Sequence, residues 1–118
     1  VMGSPVIRCQ IAEENLLAVL DTGAGLSYLR DAQLATFGKP LGRTRDFHPM
    51  LGEFEVDTVE CSVMVGDQSM TEVFGLATED LERLMQIAKI DAILGTSWFQ
   101  KCVVEIDFKN ELVGLTID

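Results

Sequence analysis

The amino-acid sequence predicts a mainly β domain with one clear helix. Most of the 118 residues fall into short apolar segments separated by turn signals, which is the pattern of successive strands. Between Val59 and Val65, apolar and polar residues alternate as in a strand with one buried face. Between Leu81 and Ala88 the apolar residues are instead three or four positions apart, which is the spacing of one helix face.

The predicted strands pair mainly as hairpins between sequence neighbours. In chain order they cover residues 5–11, 16–20, 59–65, a segment ending near residue 77, 91–95, 102–108 and 112–118. Turns are predicted at residues 13–15, at Gly66-Asp67 and at Lys109-Asn110, because polar and turn-forming residues interrupt the apolar pattern there.

Helical and irregular segments separate these strands. Residues 31–38 and 96–101 each predict a short helical turn. Thr78 is the predicted N-cap of the one amphipathic helix. Segment 43–56 carries a proline and a glycine between strand-like flanks, which predicts either a loop or the tip of a hairpin.

Length and composition indicate a single globular domain over residues 1–118. Hydrophobic residues make up 47% of the sequence, which is enough for one packed core. Nineteen acidic against nine basic residues give a net charge of −10, which disfavours binding to nucleic acid. No apolar run reaches the roughly 20 residues that span a bilayer, so no membrane span is expected in this segment.

The three cysteines, Cys9, Cys61 and Cys102, are predicted to be buried, reduced thiols. Each lies in strand-like sequence, none forms a Cys-x-x-Cys pair, and His48 is the one histidine. No metal and no other cofactor is therefore expected. Reduced thiols, and the lack of a signal-peptide pattern in the first residues, favour a cytoplasmic location, while the sequence leaves the compartment itself undetermined.

The stretch LLAVLDTGAGLSYL, residues 16–29, places an aspartate at the end of an apolar strand. Desolvating an acid at such a position is costly in free energy, so the Asp21 carboxylate needs hydrogen-bond partners, and its presence there suggests a functional role. Gly23 permits a tight turn and a close approach by other backbone, and the Thr22 hydroxyl can bond to backbone and fix the turn. Such a turn would surround the Asp21 carboxylate with backbone N–H donors.

A single carboxylate achieves little hydrolytic chemistry, whereas two carboxylates about 3 Å apart share a proton because both cannot ionise. The ionised one can activate water as a general base while the protonated one polarises a substrate carbonyl. The chain contains one Asp-Thr-Gly, so a second copy would have to come from a second chain. Asp91 is expected to be a structural residue at the start of its strand and not the second carboxylate beside Asp21.

These residues resemble those of the aspartic proteases, specifically the single-domain, retropepsin-like branch found in retroviral and many cellular proteins. VLDTGA at residues 19–24 matches the family's apolar-apolar-Asp-Thr/Ser-Gly-Ala motif. Ile93, Leu94 and Gly95 match its apolar-apolar-Gly motif, and VVEIDFKNELVGL at residues 103–115 resembles its closing hairpin. The resemblance covers nearly the whole chain in order, apart from the flap region and the helix between residues 78 and 89.

The resemblance implies a β-barrel-like acid protease domain, closed or partly open, with one or two short helices, forming half of a two-fold dimer. Asp21 would be the catalytic residue, contributed once by each subunit. Thr22 would brace the two active-site loops, Gly23 would bond to substrate backbone, and Ala24 belongs to the same loop. Ile93, Leu94 and Gly95 would form the strand that passes beneath the Asp21 loop and packs it.

By the same resemblance, a peptide or protein substrate would bind as an added strand between this floor and a flap. Phe54 and Val56 would lie in the flap stem, and the flap tip would fall near residues 49–52. The segment lacks the glycine-rich sequence of retroviral flaps and the flap tyrosine of two-domain enzymes. The helical insertion over residues 79–89 has no counterpart in the shortest viral enzymes and would suit a contact with a partner or another domain.

The predicted function is an aspartic endopeptidase, with two alternatives in the same fold. One is a catalytically inactive peptide-binding or dimerisation module of a longer protein, and the other is a processing domain that cuts its own parent chain. A phosphate-binding loop at Asp21 is disfavoured, because ATPases with such loops need two large domains. Arg43, Arg45 and His48 would either select acidic side chains of a substrate or simply be solvated.

Overall fold

A computed structural model describes residues 5–21, 23–31, 36, 38–100, 102–107 and 112–117 of the chain. Within these residues the strands are β1 (Val6–Ile11), β2 (Glu14–Leu20), β3 (Ser27–Leu29), β4 (Lys39–His48), β5 (Gly52–Val65), β6 (Gln68–Leu76), β7 (Ala92–Leu94), β8 (Cys102–Asp107) and β9 (Leu112–Ile117). The helices are α1 (Glu79–Ala88) and α2 (Thr96–Phe99). The predicted mainly β domain with short helices is confirmed.

Six of the strands close into a barrel. Over the described residues, strands β1 to β7 form one sheet in the order β1-β2-β7-β3-β6-β5-β4, and a pairing of β1 with β5 at Gln10 and Met64 closes the ring. The β2–β7 and β3–β6 pairings are parallel, and the remaining pairings of the sheet are antiparallel. Strand β4 extends outside the ring along β5. Strands β8 and β9 pair antiparallel as a separate two-stranded sheet, as the predicted closing hairpin requires, and the turn predicted at Lys109-Asn110 lies outside the described residues.

The first hairpin is present, but its turn differs from the prediction. Strands β1 and β2 pair as far as Ile11 with Glu14, so the turn is Ala12-Glu13 and the turn predicted at residues 13–15 is wrong. Both turn residues have positive φ, 52° and 68°, a backbone that normally selects glycine, asparagine or aspartate. Because neither position carries such a residue, the sequence contains no local signal for this turn.

Segment 43–56 is a hairpin, which confirms the second of the two predicted forms. Strands β4 and β5 are joined by residues 49–51 at its tip. Strand β4 begins at Lys39, earlier than the sequence indicated, because Pro40 and Gly42 interrupt the strand pattern there. The structure accommodates both residues at a bulge, and β4 is an edge strand, where proline is tolerated. The three-residue strand β3 was not predicted, and most of the helical turn predicted at residues 31–38 lies outside the described residues.

The barrel interior is the larger of two apolar cores. Alternate residues of β1 and β2 point into it, and Phe74 and Trp98 are its largest fully buried members. Cys9 and Cys61 are free, buried thiols, as predicted, whereas the Cys102 side chain lies outside the described residues. Burial raises the pKa of the Cys9 thiol from 9.0 to about 11, with a smaller contribution from the Asp91 charge.

A second apolar core lies on the outer face of the barrel beneath α1. The Thr78 hydroxyl accepts a hydrogen bond from the Leu81 N–H at 3.4 Å, which confirms the predicted N-cap. Leu81 and Met85 are the buried residues of the helix and pack in one cluster with Val19 and Tyr28. In the described part of the chain, no helix has the length and apolar character needed to span a membrane.

Candidate active site

Asp21 is the first residue after β2, and its side chain is partly buried. Its backbone N–H donates to the Leu94 carbonyl at 2.9 Å, which continues the parallel pairing of β2 with β7. The Oδ1 atom of its carboxylate accepts a hydrogen bond from the Gly23 N–H at 2.9 Å. The Ala24 N–H donates to the Asp21 carbonyl at 3.2 Å, so the loop curls back around the carboxylate.

The second motif lies against this loop. Ile93 and Leu94 pair with the end of β2, and a Cβ atom at Gly95 would lie only 2.6 Å from the Ala24 carbonyl oxygen. Because the obstructing atoms belong to backbone, no larger residue fits at Gly95 without displacing the loop. The Thr96 N–H and hydroxyl both donate to the Ala24 carbonyl, at 2.7 and 3.0 Å, which joins the two motifs into one unit.

Thr22, which is also predicted for the active-site loop, lies outside the described residues. Its expected brace between two loops therefore stays a prediction.

A cavity of about 310 Å³ lies between the Asp21 loop and the β4–β5 hairpin. Its walls come from that loop, the hairpin, β3, β7 and α1, and they consist of Asp21, Gly23, Ala24, Gly25, Tyr28, Asp46, Phe47, His48, Pro49, Phe54, Leu81 and Ile93. The predicted flap segment thus faces Asp21, with Phe54 in its stem and Pro49 at its tip. The volume is at the lower end of the range for ligand sites.

Tyr28 connects the hairpin to the barrel. Its phenolic O–H donates to the Asp46 carboxylate, and its ring centroid lies 6.4 Å from that of Phe54. Burial, together with the hydrogen bond and charge of Asp46, raises the pKa of the Tyr28 phenol, so it stays a neutral donor. The sequence does not predict this contact with Asp46, although a tyrosine hydroxyl within the apolar segment after the Asp-Thr-Gly motif indicates that a polar partner is needed.

Arg43, Arg45 and His48 do not form a joint positive surface. Arg43 pairs across the hairpin with Asp57 at 3.3 Å and Glu55 at 3.7 Å, and Arg45 lies 4.0 Å from Glu55. His48 lines the cavity, and its Nδ1 accepts a hydrogen bond from the N–H of Met50 at the hairpin tip, at 3.1 Å. The two arginines are exposed and paired with acids, which favours the solvated interpretation over selection of acidic substrates.

Asp91 has the structural role that its position predicted. Its Oδ2 accepts from the Leu17 N–H at 2.9 Å, and its Oδ1 lies 2.7 Å from the Arg30 guanidinium. The Asp91 N–H donates in turn to the Leu17 carbonyl at 2.8 Å, so Asp91 fixes the start of β7 beside β2. It does not line the cavity that contains Asp21.

Glu72 is a buried acidic residue that the sequence did not single out. It is fully buried, with 0% of its surface exposed, and bonds to Ser27 and Ser97 near the second motif. Successive residues of a strand face opposite sides, so Met70, Glu72 and Phe74 share one face of β6. The signal in the sequence was an acidic residue between two apolar residues, Met70 and Phe74, on the same face of a strand.

Comparisons with known proteins bear on the fold. No protein-family model matches the sequence, and no curated protein matches it either. The retroviral protease-like domain of Ddi1 from Leishmania major superposes with a TM-score of 0.60 at 19% identity, over 99% of this chain and 89% of that chain. The protease of simian foamy virus (mac) superposes with a TM-score of 0.56 at 15% identity, over 80% of this chain and 91% of that chain. The chain therefore has the retropepsin-like fold, as the motifs around Asp21 and Gly95 predicted.

Proposed function

We propose that the chain is an aspartic endopeptidase that acts as a homodimer. The observation that carries the proposal is the position of Asp21, whose carboxylate is held by the Gly23 N–H in the wall of a cavity beneath a hairpin. The solved structures with the same fold include a viral protease, which supports this chemistry. The single Asp-Thr-Gly of the chain requires that a second copy supply the partner carboxylate.

In the proposed mechanism the two Asp21 carboxyls meet across a two-fold axis and share one proton, because adjacent like charges cannot both persist. The ionised carboxylate removes a proton from water, and the water oxygen bonds to the scissile carbonyl carbon. The protonated carboxyl donates to the carbonyl oxygen. As the tetrahedral intermediate collapses, the C–N bond breaks, one carboxyl protonates the leaving amine, and the other carboxylate takes a hydroxyl proton from the intermediate, so the pair again holds one proton.

The substrate is proposed to be a peptide in extended form, bound between the floor and the β4–β5 hairpin as an added strand. Gly23 would bond to its backbone, Thr22 would brace the two loops, and Ala24 with Ile93, Leu94 and Gly95 would form the floor. The cavity wall includes Phe54 and Leu81, so a large apolar side chain beside the scissile bond suits it.

The catalytic role is tested by Asp21→Asn, assayed on a library of extended peptides with apolar residues at the centre. We expect cleavage to fall at least about 10³-fold while circular dichroism and the unfolding midpoint stay close to wild type, because an amide cannot act as the base. Asp67→Asn, the same chemical change at an exposed turn residue, is the matched control and should retain full activity. Equal activity of Asp21→Asn and wild type would refute the proposal.

The sharing of the site between two chains is tested by mixing wild-type protein with the Asp21→Asn variant at constant total concentration. If each site needs two Asp21 residues, activity should fall as the square of the wild-type fraction after subunit exchange. A linear fall would instead indicate a self-sufficient chain. A dimer verified by sedimentation that binds these peptides without cleaving them would favour the inactive peptide-binding module.

A further inference from the structure

The buried carboxyl of Glu72 lies outside the Asp21 cavity, yet it is connected to the floor of that cavity. Its side chain is fully buried on β6, where an acid without partners would be strongly destabilising. Its Oε2 accepts hydrogen bonds from the Ser27 hydroxyl at 2.8 Å and the Ser97 hydroxyl at 3.1 Å. Its Oε1 accepts from the Val73 N–H at 3.1 Å.

These bonds continue to the second motif. The Ser27 oxygen accepts a hydrogen bond from the Gly95 N–H at 3.0 Å, so a buried chain of donors runs from Gly95 through Ser27 to Glu72. Ser97 reaches the same carboxylate oxygen from α2, which follows Gly95 directly. Glu72 therefore connects β3, β6 and α2 at one point.

The residues on either side of Gly95 are the ones that hold the Asp21 loop. The Leu94 carbonyl accepts from the Asp21 N–H at 2.9 Å, and the Thr96 N–H donates to the Ala24 carbonyl at 2.7 Å. A shift of Gly95 would move both contacts at once. The Gly95 N–H, between these two contacts, donates to Ser27, so this bond helps to fix the position of Gly95.

We propose that Glu72 is a positioning residue for Asp21, acting through Ser27, Ser97 and the Gly95 segment. This inference rests on the proposed function for its catalytic consequence. A carboxylate suits the role because it accepts at both oxygens, and all three of its described donors point at one or the other. In a glutamine, an NH₂ group replaces one of the two oxygens. In either orientation of the amide, this NH₂ group would face an O–H or N–H donor and could not accept its hydrogen bond.

The experiment compares Glu72→Gln with Glu14→Gln, the same chemical change at an exposed residue of β2. For Glu72→Gln we expect kcat to fall about 10- to 100-fold with KM within about threefold of wild type, because a small misplacement of a reacting group costs this much. Glu14→Gln should leave both constants unchanged. A fall in kcat that disappears once the unfolded fraction is subtracted would overturn the proposal.

Amide hydrogen exchange gives a readout that does not depend on activity. Glu72→Gln should accelerate exchange of the Gly95 and Asp21 amides at least about tenfold, while the Ile90 amide, which bonds to the Met85 carbonyl in the outer core, keeps its wild-type rate. Unchanged exchange at Gly95 and Asp21 would overturn the inference even if the wild-type protein proved inactive. Loss of cleavage by wild type with accelerated exchange in the variant would instead reject only the proposed function.

Ser27→Ala provides a second route if Glu72→Gln does not fold. It removes the link between Gly95 and Glu72 but leaves the glutamate bonded to Ser97 and Val73. We expect the same decrease in kcat and the same faster exchange at Gly95. Where both variants fold, kcat of the double variant should be no lower than kcat of the more impaired single variant. If the two losses in kcat instead multiplied, Glu72 and Ser27 would act separately, which would contradict the proposed connection.

Discussion

Below the cavity, the Asp21 loop and residues 94–96 are joined by hydrogen bonds of 2.7 to 3.0 Å, and a Cβ atom at Gly95 would have no room. Above it, the β4–β5 hairpin extends beyond the barrel and carries mostly exposed side chains. Phe47 is 62% exposed and Met50 at the tip is 77% exposed. The hairpin is held to the barrel by the hydrogen bond between Tyr28 and Asp46 and by Val56 and Phe54, which pack in the second core with Tyr28.

The contrast separates two requirements of a peptide-cleaving site. A reacting group must keep its geometry, which the dense backbone contacts of the floor provide. A polymeric substrate must reach that group, and a hairpin whose strand β4 is mostly exposed can open at a lower cost in free energy than the floor. We therefore expect substitutions in the floor to affect stability strongly and substitutions in the hairpin to affect it weakly.

The largest effect is expected for Gly95→Ala. The new methyl group would lie 2.6 Å from the Ala24 carbonyl oxygen and 2.8 Å from that of Leu26, so the free energy of unfolding should fall by about 3 kcal/mol. Gly25→Ala is the matched control, because a Cβ there has nothing within 4 Å, and it should change stability by less than about 0.5 kcal/mol. Urea unfolding measures both, and equal stability of the two variants would show that the close backbone contacts at Gly95 do not stabilise the floor.

The barrel that supports the floor should lose stability at alkaline pH through Cys9. Its pKa is raised from 9.0 to about 11 in the folded protein, so the folded state favours the neutral thiol. The resulting stabilisation is complete below pH 9 and is lost as the pH rises to about 11, which amounts to about 2 to 3 kcal/mol. Unfolding followed between pH 8 and pH 11 should show a shallower decline for Cys9→Ala than for wild type, and an unchanged slope would contradict this assignment.

The smallest effects are expected in the hairpin. Tyr28→Phe removes the hydrogen bond to Asp46, whose partly exposed carboxylate can be rehydrated, so the loss should be about 1 to 2 kcal/mol. Arg43→Gln removes only exposed ion pairs with Asp57 and Glu55 and should cost less than about 0.5 kcal/mol. Thermal or urea unfolding of the two variants measures this ranking, and the reverse order would show that surface charges, not Tyr28, hold the hairpin.

Several features of this protein were determined by the sequence alone. The alternation along β5 and the helical spacing between Leu81 and Ala88 fixed element types, because both periods are properties of the local backbone. Thr78 marked the start of α1, since a cap needs only its own helix turn. The motifs at Asp21 and Gly95 identified the floor, and the described residues of both lie together as predicted.

Other features were decided only by the tertiary structure. The Ala12-Glu13 turn follows from the register of β1 with β2, and the early start of β4 follows from its pairing with β5. Tyr28 meets Asp46 across 18 positions of sequence, and Ser27 meets Glu72 across 45. A side chain's type shows that it needs a polar partner, but which partner it finds depends on how strands distant in sequence align, and that alignment is fixed by packing of the whole barrel.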